Sequence, residues 1–251
     1  MKIYNLLKLK IFFLLKYLDN FLKLRPQKET KDFMSFLEGT IIYILSLKKK
    51  IKIIQVGAND GILGDPLYKI IKSYNSDIQY VGIEPDETVF QKLTYNYSKL
   101  QNVFLVNKLI GDGSSVDFYS FNENFKKFTK KDPSGLNSII KESMIRQLHI
   151  RGLKNFDKWV NVKKQKSYTL KQALQNFPFM MKADILQVDA EGFDDEIIYN
   201  SSIDEFDFKI INFEHKLLTN EKCDKLENYL KEKKYEIFKW SKSDTLAIKF
   251  H

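Results

Sequence analysis

The strongest constraint on the fold is a regular alternation of short β-branched runs with segments of helical periodicity. Residues 51–56 form an apolar run that ends in glycine, which is typical of a buried parallel strand. Similar runs recur at residues 78–84 and 103–110, and helices are predicted between them at residues 67–74 and 86–100. This order predicts a doubly wound α/β sheet that is covered by helices on both faces.

The C-terminal part of the chain continues the alternation. A strand is predicted at residues 116–121, and a helix from Leu170 to about residue 178. The remaining predicted elements are strands at residues 184–188 and 209–213, helices at residues 194–200 and 220–234, and a hairpin at residues 235–240 and 245–250.

Two segments stand apart from this pattern. Residues 1–48 are predicted as an N-terminal helical extension, with a helix at residues 33–47, and residues 49–251 as the main domain. Within the domain, residues 122–166 are rich in Lys, Phe, Asn and Ser. That composition favours an insertion or lid over the active edge of the sheet.

Composition limits the partners and the compartment. The net charge is +9, but the lysines are spread along the chain among 32 acidic residues. A solvated surface is therefore favoured, and a nucleic-acid partner is not expected, because nucleic-acid binders cluster their charge. Cys223 is the only cysteine, so a disulfide within the chain and a cysteine metal cluster are both excluded. A reducing, cytoplasmic location is expected.

Residues 1–24 leave two interpretations open. Lysines interrupt the segment throughout, so it predicts neither a membrane-spanning helix nor a signal peptide. Its apolar residues fall near helical spacing. It is either a basic amphipathic helix on the inner face of an anionic membrane or a helix packed on the domain or on a second subunit of a homo-oligomer.

A glycine-containing loop follows the first predicted strand. Glycine permits a tight turn and close approach to a ligand at the strand end where doubly wound sheets bind nucleotides. The next strand ends in Glu84-Pro85, and an acid there can accept hydrogen bonds from ribose hydroxyls. The candidate ligand-binding residues are Gln55, Gly57, Ala58, Asn59, Asp60, Gly61, Glu84 and Pro85.

The loop chemistry favours one cofactor over another. A dinucleotide site needs a Gly-x-Gly-x-x-Gly loop, and its pyrophosphate repels acids, whereas this loop carries Asp60. An acid suits the ammonium and sulfonium groups of S-adenosylmethionine. A nicotinamide-dependent dehydrogenase is the alternative. Asp112, after the third predicted strand, is either an adenine contact or part of an ordinary Asp-Gly turn.

Acids and a histidine follow two later strands. Asp189 and Glu191 come after one strand, and Glu214 and His215 after the next, so all four are expected in the cofactor crevice. Methylation of a hydroxyl needs a base, for which His215 is the candidate, while Asp189 and Glu191 orient the acceptor or act as base. In a second interpretation Asp189 and Glu214, with His215, bind a divalent cation that holds two sugar oxygens.

Together these motifs resemble the FkbM family of methyltransferases over residues 51–249. The resemblance is carried by Val56-Gly57-Ala58-Asn59-Asp60-Gly61, Glu84-Pro85, Gly135-Leu136-Asn137-Ser138, Thr169-Leu170, Asp189-Ala190-Glu191-Gly192 and Phe213-Glu214-His215. Gln55 and Gln187 depart from it, since the family often has an acid and a lysine there. The resemblance implies a seven-stranded, Rossmann-like methyltransferase sheet with an antiparallel last strand.

The resemblance also implies O-methylation, often of sugars. The expected substrate is a nucleotide-linked sugar or glycan precursor of a bacterial surface polysaccharide, with Asn137, Ser138, Glu191, Glu214 and His215 as candidate contacts. A third class of function is a non-catalytic module that binds membrane or nucleic acid through its basic surface.

Overall fold

The computed structural model of the protein describes residues 36–249. The strands in this part of the chain are β1 (Ile51–Val56), β2 (Ile78–Ile83), β3 (Val103–Val106), β4 (Leu109–Ile110), β5 (Ser115–Phe121), β6 (Val160–Tyr168), β7 (Ile185–Val188), β8 (Ile210–Glu214), β9 (Glu236–Lys239) and β10 (Asp244–Ile248). The helices are α1 (Phe36–Lys48), α2 (Tyr68–Ser73), α3 (Glu87–Tyr97), α4 (Glu123–Thr129), α5 (Lys141–Ile150), α6 (Phe156–Trp159), α7 (Leu170–Ala173), α8 (Asp194–Tyr199), α9 (Ile203–Phe206) and α10 (Asn220–Glu232).

Seven of the strands form the main sheet in the order β3-β2-β1-β7-β8-β10-β9. The pairs from β3 to β8 are parallel, whereas β10 runs antiparallel to both β8 and β9. The predicted seven-stranded, doubly wound sheet with an antiparallel last strand is therefore confirmed. This order brings the carboxyl ends of β2, β1, β7 and β8 to one edge.

The central strands are buried on both faces, which explains their unbroken apolar sequences. Successive side chains point to opposite sides of the sheet. On β1, Ile54 belongs to the core that contains Leu186, whereas Ile53 belongs to the core that contains Ile185. All four side chains are fully buried. Two hydrophobic layers therefore fix the sheet from both sides.

Helix α1 packs into one of these layers through Leu37, Ile41 and Leu45. An ion pair between Lys48 and Asp184 ties its end to the start of β7. The helix predicted at the end of the N-terminal extension is thus part of the domain core. The interpretations of residues 1–24 fall outside the described residues. No helix in the described range is both long and apolar enough to cross a bilayer.

The middle of the chain differs from the prediction. The strand predicted at residues 103–110 breaks after Val106, because Leu109–Ile110 leaves the main sheet to pair with β6. Strand β6 also pairs with β5, which gives a separate sheet in the order β4-β6-β5. The insertion boundary predicted at residue 166 falls inside β6. A third core supports this layer through Phe121, Phe125, Met144, Leu148, Leu153, Trp159 and Val160.

The helix predicted to reach residue 178 is also shorter. It ends at Ala173, and a 3₁₀ turn follows at Pro178–Lys182. A capping box between Thr169 and Gln172 fixes its start. Proline lacks the amide that a continuing helix would need, so Pro178 begins a new turn instead.

Gly57 is the tightest backbone contact beside the sheet edge. Its φ is +79°, and a Cβ atom there would lie 1.7 Å from the carbonyl oxygen of Asp189. Gly64 has a similar φ of +72°, but a Cβ atom there would meet nothing within 4 Å. The two glycines have similar positive φ angles, which glycine adopts without strain, and they differ in the space around them.

Alanine substitutions at these glycines separate strain from steric overlap. We expect Gly57→Ala to lower the free energy of unfolding by about 3 kcal/mol or more, because the loop after β1 must move away from β7. Gly64→Ala should cost only about 1 kcal/mol, the strain of a left-handed alanine. Urea unfolding of both variants measures the difference, and equal losses would show that no close contact exists at Gly57.

Candidate active site

A cavity of about 270 Å³ opens at the carboxyl edge of the main sheet. Its wall is built from the loop after β1, the end of β2, the β3–β4 connection, the loop after β7 and residues 134–139. The lining residues are Gln55, Val56, Gly57, Ala58, Asn59, Leu63, Gly64, Asp65, Pro66, Glu84, Pro85, Lys108, Leu109, Ile110, Phe118, Ser134, Gly135, Asn137, Ser138, Ile139, Asp189, Ala190, Glu191, Phe193 and Ile197.

The glycine-containing loop is anchored to β2 by its own amides. The amides of Gly57 and Ala58 both donate to the carbonyl oxygen of Ile83, each at 3.0 Å. Asn59 adopts a left-handed φ of +48°, and its Oδ1 atom is buried without a partner in the described part of the chain. An orphaned acceptor beside a cavity indicates a missing donor. Gln55, Gly57, Ala58 and Asn59 therefore lie where the sequence predicts them.

Asp60 and Gly61 lie outside the cavity wall. The Asp60 Oδ1 atom accepts from the amides of Ile62 at 2.9 Å and Leu63 at 2.7 Å, so this acid closes the local turn. Gly61 instead allows the ring of Tyr97 to pack closely, since a Cβ atom there would lie 2.1 Å from it. The structure does not bring either predicted residue to the cavity wall.

Asp65 lines the cavity, where the sequence analysis expected Asp60. The sequence analysis missed it, although an Asp-Pro pair before a predicted helix is a visible signal. Its carboxylate accepts from the amide of Leu67 at 2.7 Å and from the hydroxyl of Tyr97 at 3.2 Å. Burial raises the pKa of Asp65 to about 6.

Glu84 joins the loop to the end of β2. Its Oε2 atom accepts from the amide of Asn59 at 3.0 Å, and its Oε1 atom from the amide of Asp86 at 2.9 Å. The residue is only 6% exposed. Burial outweighs the two amides and raises the pKa of Glu84 to about 8. Glu84 and Pro85 thus line the cavity as predicted.

Asp189, Glu191 and Glu214 form a cluster that we call the acid triad. Each offers a carboxylate oxygen, and these oxygens all lie within 4.8 Å of one another. Burial, with repulsion from neighbouring acids, raises the pKa of Asp189 to about 6, of Glu191 to about 9 and of Glu214 to about 7. The Oε2 atom of Glu214 is buried and has no partner among residues 36–249. The arrangement suits a cation or a proton donor.

Asp194 holds the acid triad together from behind. It is fully buried and accepts from the amide of Gly192 at 3.3 Å and from the amide of Glu214 at 3.2 Å. Glu191 adopts a left-handed φ of +52°, an uncommon conformation outside glycine. The Ser138 hydroxyl donates to the Glu191 carbonyl oxygen at 3.0 Å. These contacts from two directions stabilise the strained loop.

His215 and Asp112 are placed away from the cavity. The Nδ1 atom of His215 lies 2.9 Å from the Thr245 hydroxyl. Burial lowers the pKa of His215, and the positive charge of Lys239 lowers it further. Consecutive residues at the end of a strand point to opposite sides of the sheet. Glu214 therefore points toward Asp189 and Glu191, whereas His215 points away from them. Asp112 accepts from the amide of Ser114 at 2.8 Å in an exposed turn.

The cavity wall includes Ser134, Gly135, Asn137, Ser138 and Ile139 from the predicted insertion, whose function as a lid stays a prediction. The side-chain amide of Asn137 donates to Asp86 at 3.3 Å, and the Ser138 hydroxyl donates to the carbonyl oxygen of Glu191. Both predicted substrate contacts therefore line the wall. Part of the cavity wall is apolar, and the sequence analysis did not identify this part. Its residues are Leu109, Ile110, Phe118, Phe193 and Ile197.

The pKa of Glu84 predicts how stability changes with pH. The folded protein holds a proton on Glu84 that the unfolded chain releases above its ordinary pKa of about 4.5. This contribution is fully present below pH 4.5 and is lost as pH rises through about 8. We expect Glu84→Gln to be less stable by about 1–3 kcal/mol, since the amide cannot accept both hydrogen bonds. Its stability should also fall less between pH 5 and 8. Thermal unfolding of wild type and Glu84→Gln between pH 5 and 8 measures this difference. Parallel profiles of stability against pH would contradict the raised pKa of Glu84.

The sheet order and the cavity at its carboxyl edge define a nucleotide-binding α/β domain. Residues 55–237 match the family model described as the methyltransferase FkbM domain, which is more than half of the chain. The chain belongs to this family of S-adenosylmethionine-dependent methyltransferases. The expected class of enzyme is thereby confirmed, and the dehydrogenase alternative is not supported.

The solved structures that are similar to this chain have low sequence identity to it. A putative caffeoyl-CoA O-methyltransferase from Staphylococcus aureus is 10% identical, with a TM-score of 0.45, and the match covers 94% of this chain and 90% of that chain. The S-adenosylhomocysteine-bound methyltransferase PaMTH1 from Podospora anserina is 11% identical, with a TM-score of 0.42 and coverages of 87% and 80%. No curated protein matches the chain.

Proposed function

We propose that the protein transfers a methyl group from S-adenosylmethionine to a sugar hydroxyl. The acceptor class is a nucleotide-linked sugar or glycan precursor of a bacterial surface polysaccharide. One observation carries the proposal, namely that the glycine-containing loop lines the same cavity as Asp189 and Glu191. The third member of the acid triad, Glu214, offers a carboxylate oxygen within 4.8 Å of theirs. A hydroxyl acceptor needs a proton acceptor beside it, and the triad supplies carboxylates for this purpose.

The residues on the cavity wall fit the cofactor. Ile110, Phe193 and Ile197 offer an apolar surface for adenine, and Glu84 offers acceptors for the ribose hydroxyls. The orphaned Oδ1 atom of Asn59 is a further acceptor. When bound, S-adenosylmethionine supplies an electrophilic methyl group on a sulfonium that is a good leaving group.

In this proposal the protein aligns the acceptor and removes its proton. Asp189 takes the proton of the hydroxyl, since this residue lines the cavity. Asp194 and Ser138 keep Glu191 beside it. Lys108 is the one basic side chain on the described wall, and it offers a contact for the phosphate of a nucleotide-linked sugar.

We further propose that the acid triad binds a divalent cation. Carboxylate oxygens are the ligands that Mg²⁺ and Mn²⁺ prefer. The buried, unpartnered Oε2 atom of Glu214 supports such an ion, because a buried carboxylate oxygen without a donor is costly. The ion would acidify a bound sugar hydroxyl.

We also propose a cytoplasmic location for this reaction, in keeping with the single Cys223. Contact of residues 1–24 with a membrane or with a second subunit remains a proposal from the sequence.

A methyl-transfer assay distinguishes Asp189, the proposed base, from His215, the base expected from the sequence. Labelled S-adenosylmethionine and a panel of nucleotide-linked sugars would be incubated with each variant. We expect Asp189→Asn to lower the rate by about 10²–10⁴-fold, because the proton acceptor is lost. His215→Ala should change the rate by less than about threefold, since His215 lies outside the cavity wall. The reverse result would return the base to His215.

Calorimetry with Mn²⁺ tests the cation directly. We expect the wild-type protein to bind one Mn²⁺ ion and Glu214→Gln to bind it at least about tenfold more weakly. Glu221→Gln is the matched control, because Glu221 is exposed on α10 and pairs with Lys225. No Mn²⁺ binding, together with activity that resists chelators, would leave Asp189 as base without an ion.

A further inference from the structure

Asp65 is a cavity-lining carboxylate that the proposed reaction does not use. Its oxygens are held by the amide of Leu67 at 2.7 Å, the hydroxyl of Tyr97 at 3.2 Å and the side-chain amide of Gln55 at 3.4 Å. It has no ion-pair partner in the described part of the chain. A largely enclosed carboxylate without a counter-ion is costly, so its retention indicates a ligand.

A buried network behind Asp65 keeps its carboxylate in place. The hydroxyl of Tyr80 donates to the Oε1 atom of Gln55 at 2.8 Å, which leaves the amide of Gln55 directed at Asp65. The rings of Tyr80 and Tyr97 stack with centroids 5.5 Å apart. Tyr80, Gln55 and Tyr97 are each 2% exposed or less. Such a network stabilises a single arrangement of its members.

The acidic groups of the cavity wall favour a positively charged ligand. Among the described residues, four acids line it, together with one basic side chain, Lys108; the acids are Asp65, Glu84, Asp189 and Glu191. The charge of Asp189 also adds to the raised pKa of Asp65, so the two carboxylates feel each other. A cation bound beside them would relieve this repulsion.

The order of groups along the sheet edge indicates which cation Asp65 serves. Glu84 directly follows β2, whereas Asp189 and Glu191 follow β7 and Glu214 is the last residue of β8. Asp65 follows β1 and contacts Gln55 on that strand. If ribose takes Glu84 and the reacting methyl group faces the triad, the amino group of the cofactor is the cation left for Asp65.

We propose that Asp65 binds the amino group of the cofactor's methionine part, with Gln55 and Tyr97 as positioning residues. The inference rests on the proposed function and deepens it. It also replaces Asp60, which the sequence suggested for this role and which closes a local turn instead.

The test is calorimetry with two ligands, S-adenosylhomocysteine and its analogue that lacks the α-amino group. We expect Asp65→Asn to bind S-adenosylhomocysteine at least about tenfold more weakly, since a hydrogen bond between charged groups is lost. Its affinity for the analogue should stay within about twofold of wild type. Asp60→Asn is the matched control in the same loop, and its two affinities should be unchanged.

A rescue variant guards against a merely structural effect. In Gln55→Glu/Asp65→Asn the carboxylate moves to the other member of the same contact, and Tyr80 can still donate to it. We expect this double variant to regain most of the discrimination between the two ligands. Its readout also serves if Asp65→Asn alone unfolds.

The outcomes separate this inference from the proposed function. If wild type binds S-adenosylhomocysteine and Asp65→Asn binds it equally well, or loses both ligands to the same extent without rescue, Asp65 does not serve the amino group. The proposed function would then stand. If wild type binds neither ligand, both proposals fail.

Discussion

The candidate site depends on a contact that only glycine permits. At Gly57 the chain leaves β1 so close to the carbonyl group of Asp189 that no side chain fits between them. The amide of Asp189 donates to the carbonyl oxygen of Val56 at 3.0 Å, which joins the two loops from the other side. Because these loops touch, the glycine-containing loop lines one cavity with Asp189 and Glu191. Glu84 completes the assembly by accepting from the amide of Asn59.

The same edge brings several acidic side chains close together. Burial and mutual repulsion raise the pKa values of Asp65, Glu84, Asp189, Glu191 and Glu214 above their ordinary ranges. This arrangement opposes folding locally, and the apolar layers on both faces of the sheet offset it. A cationic ligand is favoured there, because hydrogen bonds already hold the carboxylates of Asp65 and Glu84 in place.

Much of the fold could be predicted from the sequence, because the central strands are buried on both faces and read as unbroken β-branched runs. Glu84 and Asp189 could be placed at the cavity because each directly follows such a strand. The Asp-Pro pair at residues 65–66 is visible in the sequence, but the sequence does not show that Asp60 closes a local turn while Asp65 lines the cavity. The side to which His215 points depends on where β8 ends, and the break after Val106 depends on pairing with the distant β6.

The most direct test of the central claim is a crystal structure of the protein with S-adenosylhomocysteine bound. The account predicts ligand density in the cavity between the glycine-containing loop and the acid triad, with the ribose hydroxyls within hydrogen-bond distance of Glu84 and the sulfur atom facing Asp189. Density at another site, or a ribose that does not reach Glu84, would contradict it.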